Sequence, residues 1–403
     1  MPLSFDNTEY AFAYKSDKEL RKAQFLFSTM RIGWLVKLAL RLTPWVIRAK
    51  LPVNELIRNT IFKQFVGGEN LQETKRVARV LGGFDVKIIL DYGVEGKEGE
   101  ENFEHAAREF IRVIEYAGSQ PNIPFISVKL TALARFALLE KLDTAADETS
   151  GFEGRVNYAA LNDHEKEEWE KVKERLFRIC KAASDSKVSV LIDAEESWIQ
   201  DPVDALTMQL MERFNTKGVV VYNTIQLYRL GRLQFLKNSY GHAQTKNFKF
   251  AVKIVRGAYM EKERRRAQER NQQIPIQPDK EATDRDYNAS LEFCIEHLDE
   301  LFLIVASHNE FSNLYSTELL TSHNHATGHP HIHFSQLYGM SDNITFNLAK
   351  AGCSVSKYLP FGPLKDVVPY LMRRAQENSS ISGQTGRELA LIKNELQRRA
   401  AKD

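Results

Sequence analysis

Residues 248–255, FKFAVKIV, are a short apolar, β-branched run that ends directly before a cation, Arg256. A run of this length between polar neighbours reads as a buried strand. Runs of the same kind recur from residue 85 onward: DVKIIL (85–90), PFISVKL (124–130), VSVLIDA (188–194), GVVVYNTIQ (218–226), LFLIVASHN (301–309), HIHFSQL (331–337) and VSKYLPFG (355–362). With 248–255 they make eight. Between them lie segments with helical periodicity, such as 101–118, 167–183, 201–215, 287–301 and 342–352, and a last one, 365–378, follows the eighth run. Strand alternating with helix eight times over about 300 residues is the pattern of an α/β (β/α)8 TIM-type barrel, with a doubly wound open sheet as competitor. No GxGxxG or GxxxxGK[ST] follows the first strand, which removes the usual dinucleotide and P-loop readings.

The organisation follows: an N-terminal helical arm over 1–80, a barrel over 81–380 and a helical tail over 381–403. Residues 131–160 read as an irregular insertion after the second strand. The chain has 403 residues, 43% hydrophobic and 27% charged, and a net charge of +2, a globular profile that does not make nucleic acid the default partner. The densest basic stretch, KERRRAQER (262–270), has interleaved acids and no stacking aromatics, so it reads as a solvated helix. Cys180, Cys294 and Cys353 are widely spaced and include no CxxC pair, which suggests neither a disulfide framework nor a thiolate zinc site. Acids at Asp6, Glu9, Asp17 and Glu19 argue against a secretory signal or transit peptide, so the expectation is a mature N-terminus and the bacterial cytoplasm. Residues 31–52 combine Trp, Leu, Ile and Val with five basic residues and no acid, which suits either a packed helix or a peripheral membrane contact.

Barrel chemistry gathers at the C-terminal ends of the strands. Those ends carry Asp91 and Glu95, Lys129, Asp193 with Glu195 and Glu196, Gln226, Lys253 with Arg256, Ser307 with His308 and Asn309, Leu337 with Tyr338, and Tyr358. In YLMRRAQEN (370–378), helical spacing puts Tyr370, Arg373, Arg374, Glu377 and Asn378 on one face. Cations and acids in such density need mutual pairing, and surplus cations suit an anionic ligand; paired arginines grip a carboxylate in bidentate fashion. Five histidines in SHNHATGHPHIH (322–333) raise a metal reading, but they precede the seventh strand at the stability face, and no functional metal is expected.

Six segments, SVKLTALAR, LIDAEES, VKIVRGAYM, ASHNE, QLYGM and KYLPFGPLKDVVPYLMRRAQEN, occur in order and resemble the signature segments of the proline dehydrogenase family over about residues 85–380. The resemblance implies FAD-dependent oxidation of L-proline to 1-pyrroline-5-carboxylate, by hydride transfer to flavin N5 and onward to a membrane quinone. It implies that Arg373 and Arg374 hold the substrate carboxylate beside Lys129, that Glu95 pairs with the first arginine, and that Asp193 is a supporting acid. Tyr259, Leu337 and Tyr358 would pack around the ring. Gln226, Lys253, Val255, Gly257, Lys280, Ser307, His308, Asn309 and Glu377 would hold FAD. Tyr358 stands where hydroxyproline-preferring relatives carry a smaller polar residue, which favours proline. With no further catalytic domain after residue 380, a monofunctional enzyme is expected. The rivals are a hydroxyproline or other cyclic amino-acid dehydrogenase, a lyase or aldolase using Lys129 or Lys253 as a Schiff-base amine, and a membrane-surface binding protein.

Overall fold

The computed structural model describes residues 3–32, 54–93, 98–144, 155–380 and 384–402. The eight expected strands all form: β1 Val86–Tyr92, β2 Phe125–Val128, β3 Ser189–Ile192, β4 Val221–Gln226, β5 Phe250–Val255, β6 Leu301–Ala306, β7 Ile332–Leu337 and β8 Val355–Phe361. They close into a barrel in sequence order, so the open-sheet competitor is excluded. The pairing is parallel, with Phe125 opposite Ser189, Val190 opposite Val221, Asn223 opposite Val252, Phe250 opposite Leu301 and Val86 opposite Val355. Near-continuous burial along β4, and from Phe250 to Ile254 along β5, explains why these strands read as apolar runs rather than alternating ones.

Two compact units are present, one comprising Gly96–Phe334 and the other Met1–Glu95 with Ser335–Asp403. In the second, the helices Asp17–Met30, Leu364–Ser380 and Gln384–Ala400 share a core built on Phe12, Leu20, Phe27, Phe65, Val367, Leu371 and Ile392. The first of these helices is fixed at its start by a capping box, Ser16 with Glu19. Arg399 ties the C-terminal helix back to the N-terminal segment, donating to the Phe12 carbonyl at 2.9 Å and pairing with Asp17 at 2.8 Å.

The same unit holds a buried charge network. Lys357, fully buried on β8, pairs with Asp342 at 2.9 Å, while Lys15 and the Tyr14 hydroxyl each reach the other carboxylate oxygen at 2.8 Å. Burial alone would raise the Asp342 pKa; Lys15 and Lys357 outweigh it and hold the carboxyl well below the usual range. Beside it, burial pushes Glu388 up to about 7, and its carboxylate accepts the Ser341 N–H.

Several local expectations change. The insertion over 131–160 contains a helix, Phe136–Leu142, anchored by Leu138, Leu139 and Leu142. The helix expected over 287–301 instead runs Lys280–Glu296, and turns from His297 onward lead into β6. Two unexpected helices, Arg232–Lys246 and Glu310–Ser322, escaped periodicity because they bury polar residues. The second buries Ser312, Asn313, Ser316 and Thr317 beside Leu320. The basic stretch 262–270 is helical and mostly exposed, as expected of a solvated helix, but one side of it is packed. Glu263 is buried, Arg266 stacks 4.3 Å over Trp198, and Lys262 and Arg270 pair with Glu196 and Glu140. No helix among the described residues is long and apolar enough to cross a membrane. Most of 31–52 lies outside the described residues.

Removing one member of a buried ion network leaves uncompensated charge, which costs about 3–5 kcal/mol. Asp342→Ala strands Lys357, so urea unfolding should show a loss of that order. A loss under about 1 kcal/mol would mean that the network is not a stabilising element.

Candidate active site

Within Gly96–Phe334, the strand ends assemble three contiguous polar groups. On β5, buried Lys253 donates to Asp193, which follows β3 and whose own N–H bonds to the Val128 carbonyl at 2.9 Å. Both are more than nine-tenths buried, and the contact gives each buried polar group a partner.

The second group centres on Glu195. Its carboxylate accepts the Thr131 N–H at 3.1 Å and the Thr131 hydroxyl at 2.5 Å, and its carbonyl accepts from Gln226 Nε2 at 2.7 Å. Burial raises the Glu195 pKa to about 7, opposed by the charge of Lys129 and by the Thr131 hydrogen bonds. A carboxyl that titrates near neutrality at a strand end is a feature of working sites.

The third group is built on Arg256, one residue past β5. Its guanidinium pairs with Asp284 at 2.7 Å, donates to Ser307 Oγ at 2.7 Å and Ser312 Oγ at 2.9 Å, and lies 4.2 Å over the Tyr287 ring. Lys280 pairs with the same Asp284 from one helical turn earlier. Burial raises the Asp284 pKa, but Lys280 and Arg256 overcome it and hold the carboxyl below its usual range. Ser307 Oγ also accepts the Asn309 N–H at 3.1 Å, and Asn309 caps the helix Glu310–Ser322. Gly257 adopts φ +141°, and a Cβ there would sit 2.2 Å from the Tyr228 ring, so only glycine lets the backbone pass. Val255 accepts from Leu227 N–H through its carbonyl at 2.9 Å, Tyr259 is buried with Lys262 5.4 Å over its ring, and His308 is half-buried.

Within the other unit, Arg373 and Arg374 lie on the helix Leu364–Ser380, whose Val367 and Leu371 enter the core. Arg374 is buried, with its guanidinium 5.0 Å over the Tyr370 ring; Arg373 is half-buried. Leu337 packs against the same core, and Tyr358 is half-buried on β8 opposite Ile89. Glu95 and the side chain of Glu377 lie outside the described residues.

Thus Lys253 meets Asp193, and Lys280 and Ser307 meet through Arg256 and Asp284. Arg256, Asp284, Thr131 and Glu195 complete these groups but were not among the expected site residues. Arg256 and Glu195 stood at strand ends in the sequence, whereas nothing in the spacing marks Asp284 as the partner of a residue 28 positions earlier.

The histidine segment divides by role. His331 donates through Nδ1 to the Leu298 carbonyl at 2.8 Å, and His333 is buried against Phe125, with ring centroids 5.0 Å apart. His325 and His329 stand with Asp299, all three ligand atoms within 4.8 Å of one another. Burial and the neighbouring His331 and His325 lower the His329 pKa, against a smaller pull from Asp299.

A closed parallel barrel with paired cations and carboxylates at its strand ends suits an enzyme that binds an anionic group, and the comparisons supply the family. The chain belongs to the proline dehydrogenase family, an oxidoreductase family whose model, "Proline dehydrogenase", matches residues 74–387. It is 31% identical over 379 residues to "Proline dehydrogenase 1, mitochondrial" of Dictyostelium discoideum, covering 86% of this chain and 66% of that protein. It is 31% identical over 365 residues to "Hydroxyproline dehydrogenase" of Xenopus laevis, covering 85% of this chain and 78% of that protein. Among solved structures, proline utilization A from Bdellovibrio bacteriovorus shares the fold, with a TM-score of 0.68 at 19% identity over 94% of this chain and 36% of that one. The chain therefore spans about a third of that larger protein.

Glu195 supplies a test by stability. Its folded pKa near 7 exceeds the unfolded carboxyl value of about 4.3, so the folded state binds more protons between those values and loses stability as pH rises through that window. Glu195→Gln removes that loss. The variant's stability relative to the parent should climb between about pH 4.5 and 7 in thermal scans; a pH-independent difference would show that Glu195 is ionised throughout.

Proposed function

We propose that this chain oxidises L-proline to 1-pyrroline-5-carboxylate with FAD as the hydride acceptor, passing electrons to a membrane quinone as the first step of proline catabolism. The observation that carries the reading is the family match, whose span of 74–387 includes all eight strands and the helix bearing Arg373 and Arg374.

The residues of Gly96–Phe334 fit an anionic cofactor. Among the described residues, Arg256 and Lys280 share the one carboxylate of Asp284, an arrangement that suits a diphosphate. Gly257 offers bare backbone, and Ser307 and Asn309 add polar groups at a helix start. On this reading Gln226, Lys253, Val255, Gly257, Lys280, Ser307, His308 and Asn309 hold FAD, joined by Glu377. Bound FAD supplies a two-electron acceptor. Lys253, paired with Asp193, would offer a cationic side chain where negative charge develops on the bound cofactor.

Arg373 and Arg374 take the proline carboxylate, with Lys129 beside them and Glu95 paired to the first arginine. This grip orients the ring carbon next to nitrogen, while Tyr259, Leu337 and Tyr358 flank the ring. Cations around the substrate disfavour its ammonium form, so the reactive neutral amine is more populated and activity rises with pH. A bacterial cytoplasmic location with peripheral membrane contact through 31–52 accompanies the quinone reading. The second reading, a hydroxyproline or other cyclic amino-acid dehydrogenase, is favoured by the similarity to the Xenopus protein.

Steady-state kinetics test the clamp. Arg373→Met or Arg374→Met should each raise KM for proline by roughly 10²-fold, the value of losing one charge-assisted contact of about 2–3 kcal/mol, while FAD stays bound. Unchanged KM in either variant removes that arginine from the clamp. Tyr358→Ser should narrow the preference for proline over hydroxyproline, whereas an unchanged ratio would show that Tyr358 does not set it.

A further inference from the structure

We propose that Asp299, His325 and His329 form a zinc site that ties the turn before β6 to the loop before β7. Their ligand atoms lie within 4.8 Å of one another, and His329 Nε2 is 3.5 Å from Asp299 Oδ1. That distance is too long for a strong hydrogen bond. Zinc bonds to imidazole nitrogen and carboxylate oxygen are about 2.0–2.2 Å, so tetrahedral donors stand roughly 3.3 Å apart. The cluster must therefore tighten, and it is free to do so: the Asp299 side chain is 83% exposed. Rotation about its own bonds brings the carboxylate inward.

The backbone beneath is already set. His325 N–H bonds to the Leu320 carbonyl at 2.8 Å, His329 N–H to Ala326 at 3.0 Å, and Asn324 takes the left-handed conformation that turns the chain. The His325 and His329 rings lie 4.9 Å apart. Three residues separate these histidines in sequence, within the His-x3–5-His spacing of zinc sites. His331 joins the same two segments through the Leu298 carbonyl, one residue before Asp299, so the three candidate ligands stand on segments already held together. His329 Nδ1 accepts the His331 N–H at 3.3 Å. A neutral ring bound to zinc through Nε2 carries its proton on Nδ1, so this long contact is given up, at a cost of about tenfold in affinity. Two imidazoles and one carboxylate leave the fourth position to water. The site lies before its strands, away from the strand ends proposed for catalysis, and its role is to brace that loop.

Titration of zinc chloride into the untagged, chelator-treated, dialysed full-length protein near neutral pH, followed by calorimetry, tests the site. One zinc per chain with a micromolar Kd is expected. His325→Ala and His329→Ala should each weaken it at least about tenfold, Asp299→Asn less, and the exposed distant His164→Ala not at all. Saturating zinc should also raise the Tm of the parent but not of the His325→Ala/His329→Ala double variant. Absence of a one-to-one isotherm in the parent, or the same isotherm in the double variant, would overturn the proposal.

Discussion

A lysine ammonium buried on a β-strand has no water to solvate it, and the positions of several other residues follow from that need. Lys253 on β5, 4% exposed, pairs with Asp193 beyond β3. That same Asp193 continues the β2–β3 ladder through the Val128 carbonyl, so the ion pair and the sheet register support one another. In the other unit, Lys357 on β8 is fully buried and meets Asp342, which Lys15 and Tyr14 also approach. Breaking such a pair by removing one partner is strongly destabilising, which constrains both lysines and both acids together.

That constraint also shapes reactivity. Where a cation stands close, a carboxyl stays ionised despite burial, as Asp342 does between Lys15 and Lys357. Where the balance tips to desolvation, as at Glu195, the carboxyl titrates near neutrality even though Lys129 and Thr131 oppose the shift. The end of β3 thus holds both Asp193, in contact with a lysine, and Glu195, whose carboxyl burial pushes up to about 7.

The barrel was legible because each strand is a short run buried along most of its length, and eight such runs separated by amphipathic helices leave little choice of topology. The helices Arg232–Lys246 and Glu310–Ser322 were not legible, because serine, threonine, asparagine and arginine replace apolar residues on their buried faces. At the strand ends, Lys253, Asp193, Ser307 and Lys280 could be named from position and resemblance, but their partners could not. Asp284 reaches Arg256 from a helix, and Thr131 reaches Glu195 across 64 positions, contacts that only the closed sheet creates. The histidine segment shows the same limit: four of its five histidines separate into a buried packing residue, a backbone donor and a pair clustered with Asp299 once the loop is folded.

The most direct test of the account is the visible spectrum of the purified full-length protein, recorded without oxygen before and after addition of L-proline. The account predicts a flavin band, present as purified or restored by added FAD, that bleaches with proline and only slowly with hydroxyproline. A flavin band indifferent to both substrates, or a protein that takes up no FAD, would contradict it.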